Sequence, residues 1–394
     1  MEALEAFQAS QPECEPEVFF WIDVISIDQH SVGGWPQEWW TTTFKQAIGL
    51  IGHTVMMLSP WDGPVPLTRA WCLWELHCTV SVGARFSVCL GPDERAALEA
   101  ALVGDAQCRA VLAVFSGIDV AKSEAGKPAD LEMILQAVRA TEGGTGGLNA
   151  MALAEMRKWV LSVMSAMVLE RTDASGALDG SRLDDVYNLA TTAYKLEDQE
   201  LARKLFAAVE EGQVAHCGPL DMEPLRTRMN QAMILKDRGQ LHEARRVFED
   251  VIAAQTATLG EMRAMHPYLY VCMHNLANCL SDMGQMDEAH RVYKETLDGQ
   301  TRLLGPMHIS TLMTSSNYGG LLHLTGRHIE ARALYEKTLP GYVRMHGPTH
   351  VRTLVGKANY AALLSDMGEY AEARPLFDEC IEQGETDRGF RGLT

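Results

Sequence analysis

The chain has 394 residues, 47% apolar side chains and a net charge of −18: long enough to bury two cores and too acidic to favour phosphate backbones or anionic lipid. Nucleic acid and membrane surfaces are therefore not expected partners. Nine cysteines with no Cys-x-x-Cys spacing, and no basic-then-apolar leader, read as reduced core thiols in a cytoplasmic protein.

In chain order, residues 1–17 form an acidic tail interrupted by Pro12 and Pro16. Residues 18–27, a run of Val, Phe, Trp and Ile, read as a buried strand. A helix at 43–51, a strand at 54–58, a helix at 67–80 after a Pro-rich loop, a strand at 86–90 and a helix at 92–102 follow. Strand and helix alternate, which predicts an α/β domain with a parallel sheet covered by helices on both faces. Residues 121–168 continue as two helices around Glu142-Gly143-Gly144-Thr145-Gly146-Gly147. No Gly-Lys-Ser/Thr follows these glycines, so they read as a flexible turn and not as a phosphate loop. The largely apolar stretch 159–169, eleven residues long, is far short of the ~20 needed to span a bilayer and predicts a buried helix. Cys72, His77 and Cys78 fall on different sides of one helix, so no metal site is expected.

All eight tryptophans precede residue 172. Residues 172–182, small and polar, read as a linker between this domain (18–171) and a second one. From residue 183 to 384 the sequence repeats. Asparagine recurs at Asn188, Asn230, Asn275, Asn317 and Asn359, at intervals of 42, 45, 42 and 42. Nine residues after the last four comes Gly239, Gly284, Gly326 or Gly368, and fourteen after all five comes Ala202, Ala244, Ala289, Ala331 or Ala373. Eighteen after stands Phe206, Phe248, Tyr293, Tyr335 or Phe377. Apolar residues at helical spacing on both sides of the glycine predict five helical hairpins. Glycine ends the first helix, alanine lets the second lie close, and the aromatic fills the space between them. Such units bury their apolar faces only by stacking, and the stack presents one long surface of equivalent positions. Three extra residues between Gly260 and His266 account for the 45-residue interval and belong to a loop. Residues 385–394 form a C-terminal tail.

The signature G-x-x-x-x-A-x-x-x-[FY] resembles the tetratricopeptide repeat. With Asn275-Leu276-Ala277, Gly368-Glu369-Tyr370-Ala371-Glu372-Ala373 and Leu304-Gly305-Pro306-Met307-His308, it looks like the 42-residue unit of kinesin light chains. The resemblance implies an all-α superhelix whose groove, lined by first helices, holds an extended peptide of a partner protein. It also implies that Asn188, Asn230, Asn275, Asn317 and Asn359 hydrogen-bond the ligand backbone. An amide, with donors and an acceptor, suits peptide groups whatever their side chains. The family's basic positions, which select acidic ligands, keep charge only as Arg226 and Lys236, leaving one acid-binding pocket around Arg226, Asn230 and Lys236.

Upstream, Phe20-Trp21-Ile22-Asp23, Phe44-Lys45-Gln46-Ala47-Ile48, Val55-Met56-Met57-Leu58-Ser59 and above all Trp71-Cys72-Leu73-Trp74-Glu75-Leu76 resemble a plant-type Toll/interleukin-1-receptor domain over about residues 18–120. Trp21-Ile22-Asp23 with Ile27-Asp28-Gln29 is also similar to fungal heterokaryon-incompatibility domains. The likeness implies a flavodoxin-like parallel sheet, here incomplete, because only seventeen residues precede Val18 where the family has a further strand and helix. It also implies that Glu75 is the carboxylate that cleaves the nicotinamide bond of NAD, by stabilising an oxocarbenium-like transition state.

Two functions follow. The first is a non-enzymatic adaptor gripping a peptide in its repeat groove, needing no cofactor, with the N-terminal domain for signalling or self-association. The alternative is an NAD glycohydrolase using Glu75 and regulated by the repeats.

Overall fold

The computed structural model describes residues 42–104, 118–126, 128–171, 180–260 and 266–386, with positions 111, 114 and 178. The strand expected at 18–27, the N-terminal tail, residues 387–394 of the C-terminal tail and most of the linker lie outside these residues, and the last helix runs two residues into the expected tail. Two compact units make up the chain, changing over at about residue 177, with Thr191–Leu196 grouped with the first.

In the first unit, α1 (Thr43–Ile51) buries Phe44 and Ile48, one turn apart, and ends where Gly52 turns left-handed at φ 77°. Two parallel strands follow, β1 (His53–Met57) and β2 (Arg85–Cys89), in register from His53 opposite Arg85 to Met57 opposite Cys89. The crossover helix α2 (Ala70–Ser81) lies between them in sequence, and the Thr79 hydroxyl on its inner face is 2.7 Å from that of Thr54 on β1. The sheet thus has the predicted parallel sense and, among the described residues, two strands.

The helix expected at 67–80 is broken. A 3-10 turn covers Val65–Thr68, Arg69 is extended, and α2 starts only at Ala70. Glu124 causes the break: its N–H donates to Thr68 O (2.8 Å) and its carbonyl accepts from Ala70 N–H (2.9 Å), drawing Arg69 into a bridge. Beyond β2, α3 (Pro92–Val103) and α4 (Pro128–Arg139) pack with α2 around the long α5 (Gly144–Leu169).

Two expectations need correction here. The glycine-rich stretch is not a free turn, because Gly144 already opens α5 and a Cβ on Gly147 would lie 2.8 Å from Glu142 O. Glycine is what lets the chain fold back so tightly. Residues 159–169 are not buried all round either: one stripe of α5 is covered, at Leu148, Ala152, Met156, Val160, Met164 and Met167, while Leu169 is exposed. No described helix is long and apolar enough to cross a membrane.

The second unit is five helical hairpins: α6 (Leu183–Lys195) with α7 (Gln199–Cys217), α8 (Met222–Asp237) with α9 (Leu241–Leu259), α10 (Pro267–Asp282) with α11 (Met286–Leu304), α12 (Ile309–Leu324) with α13 (His328–His346), and α14 (Val351–Asp366) with α15 (Tyr370–Thr386). The periodic positions do what their chemistry predicts. Gly239, Gly284, Gly326 and Gly368 take φ of 75–82°, and the residue after each donates back to close the last turn, as Gln285 does to Leu280 O at 2.9 Å. The alanines and the aromatics Phe206, Phe248, Tyr293 and Tyr335 are buried between the helices.

The first hairpin has Glu197 in place of that glycine, at φ 64°. A left-handed conformation costs a residue with a side chain about 1 kcal/mol. Glu197→Gly is therefore expected to raise the urea midpoint by an equivalent amount; an unchanged or lower midpoint would mean the side chain contributes more than the strain costs.

A second glycine position, twenty-four residues after the asparagine, is filled by Gly212, Gly299 and Gly341. There the second helix presses on the large residue near the start of the first. An added Cβ would lie 2.5 Å from Leu183, 2.1 Å from Tyr270 or 2.8 Å from Leu312.

Hairpins are also joined on their second helices. Fifteen residues after each asparagine stands a basic residue, Arg203, Arg245, His290, Arg332 or Arg374. Arg245 reaches Gln285 (2.7 Å) and Glu288 (3.2 Å) of the next hairpin, and Arg332 reaches Glu369 (2.5 Å) and Glu372 (3.2 Å). Between the third and fourth hairpins the arrangement is reversed, with Arg327 donating back to His290 at 2.8 Å.

Candidate functional site: the first-helix face of the repeats

The five asparagines lie on the five first helices, α6, α8, α10, α12 and α14, but their surroundings differ. Asn188 is half-buried on α6. Asn230 donates to the Tyr187 hydroxyl at 2.8 Å, tying α8 to α6. Arg226, one turn earlier, lies 4.1 Å above the same ring in a cation–π contact. Its guanidinium also pairs with Glu223 at 2.7 Å. Lys236 pairs with Asp237 (3.3 Å) and with Asp282 of the next hairpin (3.6 Å). Arg226 and Asn230 thus converge on Tyr187, and both cations of the expected pocket already have carboxylate partners.

Asn317 belongs to a chain of hydrogen bonds between α10 and α12. Its Nδ2 donates to Asn278 Oδ1 at 3.0 Å, and the Tyr293 hydroxyl donates to the same oxygen. Asn278 must then present its Nδ2 to His274 Nε2, 3.1 Å away, so that nitrogen accepts. The imidazole proton therefore sits on Nδ1 and donates to Thr314 Oγ1 at 2.9 Å. Burial, with Lys236 adding to it, lowers His274 to about 4, so the ring is neutral, as this arrangement requires. Nothing periodic announces the chain, because Asn278 and His274 have no counterparts in the other hairpins.

Asn275 and Asn359 complete the ladder. Asn275 is 8% exposed and Asn359 is exposed. Among the described residues neither side-chain amide has a hydrogen-bond partner.

Other repeated residues have structural duties that the sequence did not reveal. His308 and His350 cap α12 and α14, each accepting at Nδ1 from the backbone N–H two residues on (3.2 Å). Thr311 and Thr353 donate to Gly305 O (2.9 Å) and Gly347 O (2.8 Å) and fix the same turns. Asp221 caps α8 in the equivalent place, which is a signal the sequence did hold. On the second helices, Gln213, Gln255, Gln300 and Tyr342, which match the kinesin-light-chain positions for ligand-selecting basic residues, are all buried. Gln213 accepts from the Thr227 hydroxyl at 2.7 Å. Gln255 and Gln300 keep Oε1 buried without a hydrogen-bond partner among the described residues.

In the first unit Glu75 is half-buried on α2, its backbone oxygen accepting from the Thr79 hydroxyl at 2.7 Å. Trp74 beside it is buried and stacks on His77 with ring centroids 5.2 Å apart. Burial pushes the neighbouring Cys78 thiol up to about 12, which makes it a poor nucleophile. The residues that would wall a nucleotide site before α1 lie outside the described part.

Comparison with known families matches the tetratricopeptide repeat at residues 223–302, 268–342 and 310–386. Residues 223–386, the last four hairpins, are tetratricopeptide repeats. Comparison with curated proteins finds no match. Among solved structures the array is similar to the nearly identical tetratricopeptide-like repeats of a Podospora anserina protein named as a kinesin light chain, at 24% identity over 53% of this chain and 98% of that one, with a TM-score of 0.44. It is also similar to BtubC (BKLC) of P. vanneervenii, at 16% identity over 61% and 92%, with a TM-score of 0.46. YrrB, described as a tetratricopeptide protein with an unusual peptide-binding site, matches at 14% identity over 50% and 84%, with a TM-score of 0.32.

Proposed function

We propose that the repeats bind an extended segment of a partner protein along the first-helix face. In this reading the chain is a cytoplasmic adaptor whose α/β unit serves signalling or self-association. The observation that carries it is the state of Asn275 and Asn359. Neither side-chain amide has a hydrogen-bond partner among the described residues, and a peptide backbone offers both a donor and an acceptor to such a group. Asn230 and Asn317 each commit an N–H to a neighbouring helix, so backbone contacts fall first to Asn275 and Asn359. The tetratricopeptide assignment of residues 223–386 supports the same reading.

The test is selection of decapeptides from a random displayed library on the full chain. Wild type is expected to enrich binders, and Asn275→Ala with Asn359→Ala to weaken them about tenfold or more while circular dichroism is unchanged. Asn230→Ala, which only releases Tyr187, should lower thermal stability and leave binding nearly intact. Equal binding by wild type and the Asn275/Asn359 double variant would sink the assignment.

A further inference from the structure

We propose that Arg352 receives a side-chain carboxylate of the bound segment, with apolar ligand side chains resting beside it on Met313 and Val355; this rests on the peptide-binding reading above. Three cations stand near the asparagine ladder, and they differ in what they already hold. Arg226 is paired with Glu223, and Lys236 with Asp237 and Asp282. An acidic ligand would have to displace those carboxylates, recovering little.

Arg352 has no carboxylate within ion-pair distance among the described residues. Its one side-chain hydrogen bond there runs from Nη1 to the Met313 thioether at 2.8 Å, a weak acceptor. That contact also places the guanidinium. Met313 is one helical turn before Asn317, and Arg352 is seven residues before Asn359, so the side chain reaches from α14 back to α12 on the asparagine side of both helices. Tyr342 and His346 both feel its charge, and His346, held down by burial, His350 and Arg352, adds no second positive charge beside it. A planar fork of donors with only a thioether to satisfy it suits a bidentate carboxylate.

The neighbouring positions state the rest of the preference. One turn before Asn275, Asn317 and Asn359 stand Val271, Met313 and Val355, all uncharged, and Val355 is 49% exposed. The first helices of the last three hairpins thus offer apolar rests beside Arg352, which among their described residues is the cation without an ion pair. In a chain of net charge −18, a run of acidic residues would be repelled. The fitting occupant is an extended segment with one Asp or Glu among apolar residues.

The decapeptide library, fused through its C-terminus so that only side-chain carboxylates are on offer, tests this directly. Wild type is expected to enrich peptides with one acidic residue flanked by Leu, Ile, Val or Met. Arg352→Ala should lose the acidic residue and keep the apolar ones, whereas Arg226→Ala and Lys236→Ala should keep both. With one enriched peptide, fluorescence anisotropy should show about a tenfold loss for Arg352→Ala or for Glu→Gln in the peptide, and little further loss when the two are combined. Arg352→Lys, which keeps the charge and removes the fork, should fall between, and circular dichroism checks that each variant folds. Acidic enrichment that survives Arg352→Ala, vanishes with Arg226→Ala, or never arises overturns the proposal while leaving peptide binding standing. If wild type enriches no peptide at all, the peptide-binding reading fails and this one falls with it.

Discussion

Gly299→Ala is expected to lower the unfolding free energy by about 1–3 kcal/mol, the range for forcing one extra carbon into a packed core. Its Cβ would stand 2.1 Å from Tyr270 Cε1 and 2.2 Å from Cζ. The Tyr270 ring is itself 5% exposed, so it has no free space into which to swing. The helix propensity of alanine exceeds that of glycine by about 1 kcal/mol and acts in the opposite direction, so a net loss isolates the clash. Tyr270→Leu in the Gly299→Ala background should recover much of it, which urea unfolding of the single and double variants would read as strong non-additivity. Simple addition of the two effects would mean that the second helix shifts away at no cost.

The second large effect is a loss of stability on mild acidification. His274 is held at about 4 in the folded chain, against about 6.5 when unfolded. Above pH 6.5 both states carry a neutral ring and the group contributes no pH dependence. As pH falls through 6.5 the unfolded chain takes up a proton that the folded chain refuses, and stability drops by about 1.4 kcal/mol per pH unit. The loss levels off near pH 4 at about 3 kcal/mol, where the folded state protonates too. Protonation removes the lone pair that accepts from Asn278 and so breaks the chain that reaches Asn317. Urea midpoints measured at pH 7 and pH 4.5 for wild type and His274→Gln should show a steeper fall in wild type, whatever the absolute stability of the variant. Parallel pH dependences would place the acid sensitivity on other groups.

The repeat was legible because its determinants are local and recur. Gly284 ends a helix, Ala289 admits the next one, and Tyr293 fills the gap in every hairpin that carries their counterparts, so spacing alone exposed them. The close-packing glycines recur less cleanly, since Ala254 and Gln383 interrupt the series, and their meaning lies in what they face. The site was less legible still. Whether an asparagine is open to a ligand depends on a partner some forty residues away, Tyr187 for Asn230 and Asn278 for Asn317, and no periodicity encodes that choice. Arg352 escaped notice because it falls outside the positions that the kinesin-light-chain resemblance marks as selective. In the first unit, the alternation of strands and helices foretold the parallel pairing of β1 and β2. It could not foretell that Glu124 would pull Arg69 out of a helix.

The inversion at His290 and Arg327 has a mechanical consequence. In a stack where each hairpin touches only its neighbours, every junction can yield separately. The second–third and fourth–fifth junctions carry Arg–carboxylate pairs at the surface, which dissolved salt screens. The third–fourth junction instead carries the sheltered hydrogen bonds of His274, Asn278 and Thr314 and the stacked rings of Tyr293 and Tyr318, 5.6 Å apart. Rising ionic strength therefore loosens the second–third and fourth–fifth joints and leaves the third and fourth hairpins locked to each other, while acidity, through His274, acts on the joint between those two. One stack thus carries two kinds of joint that answer to different features of the surrounding solution.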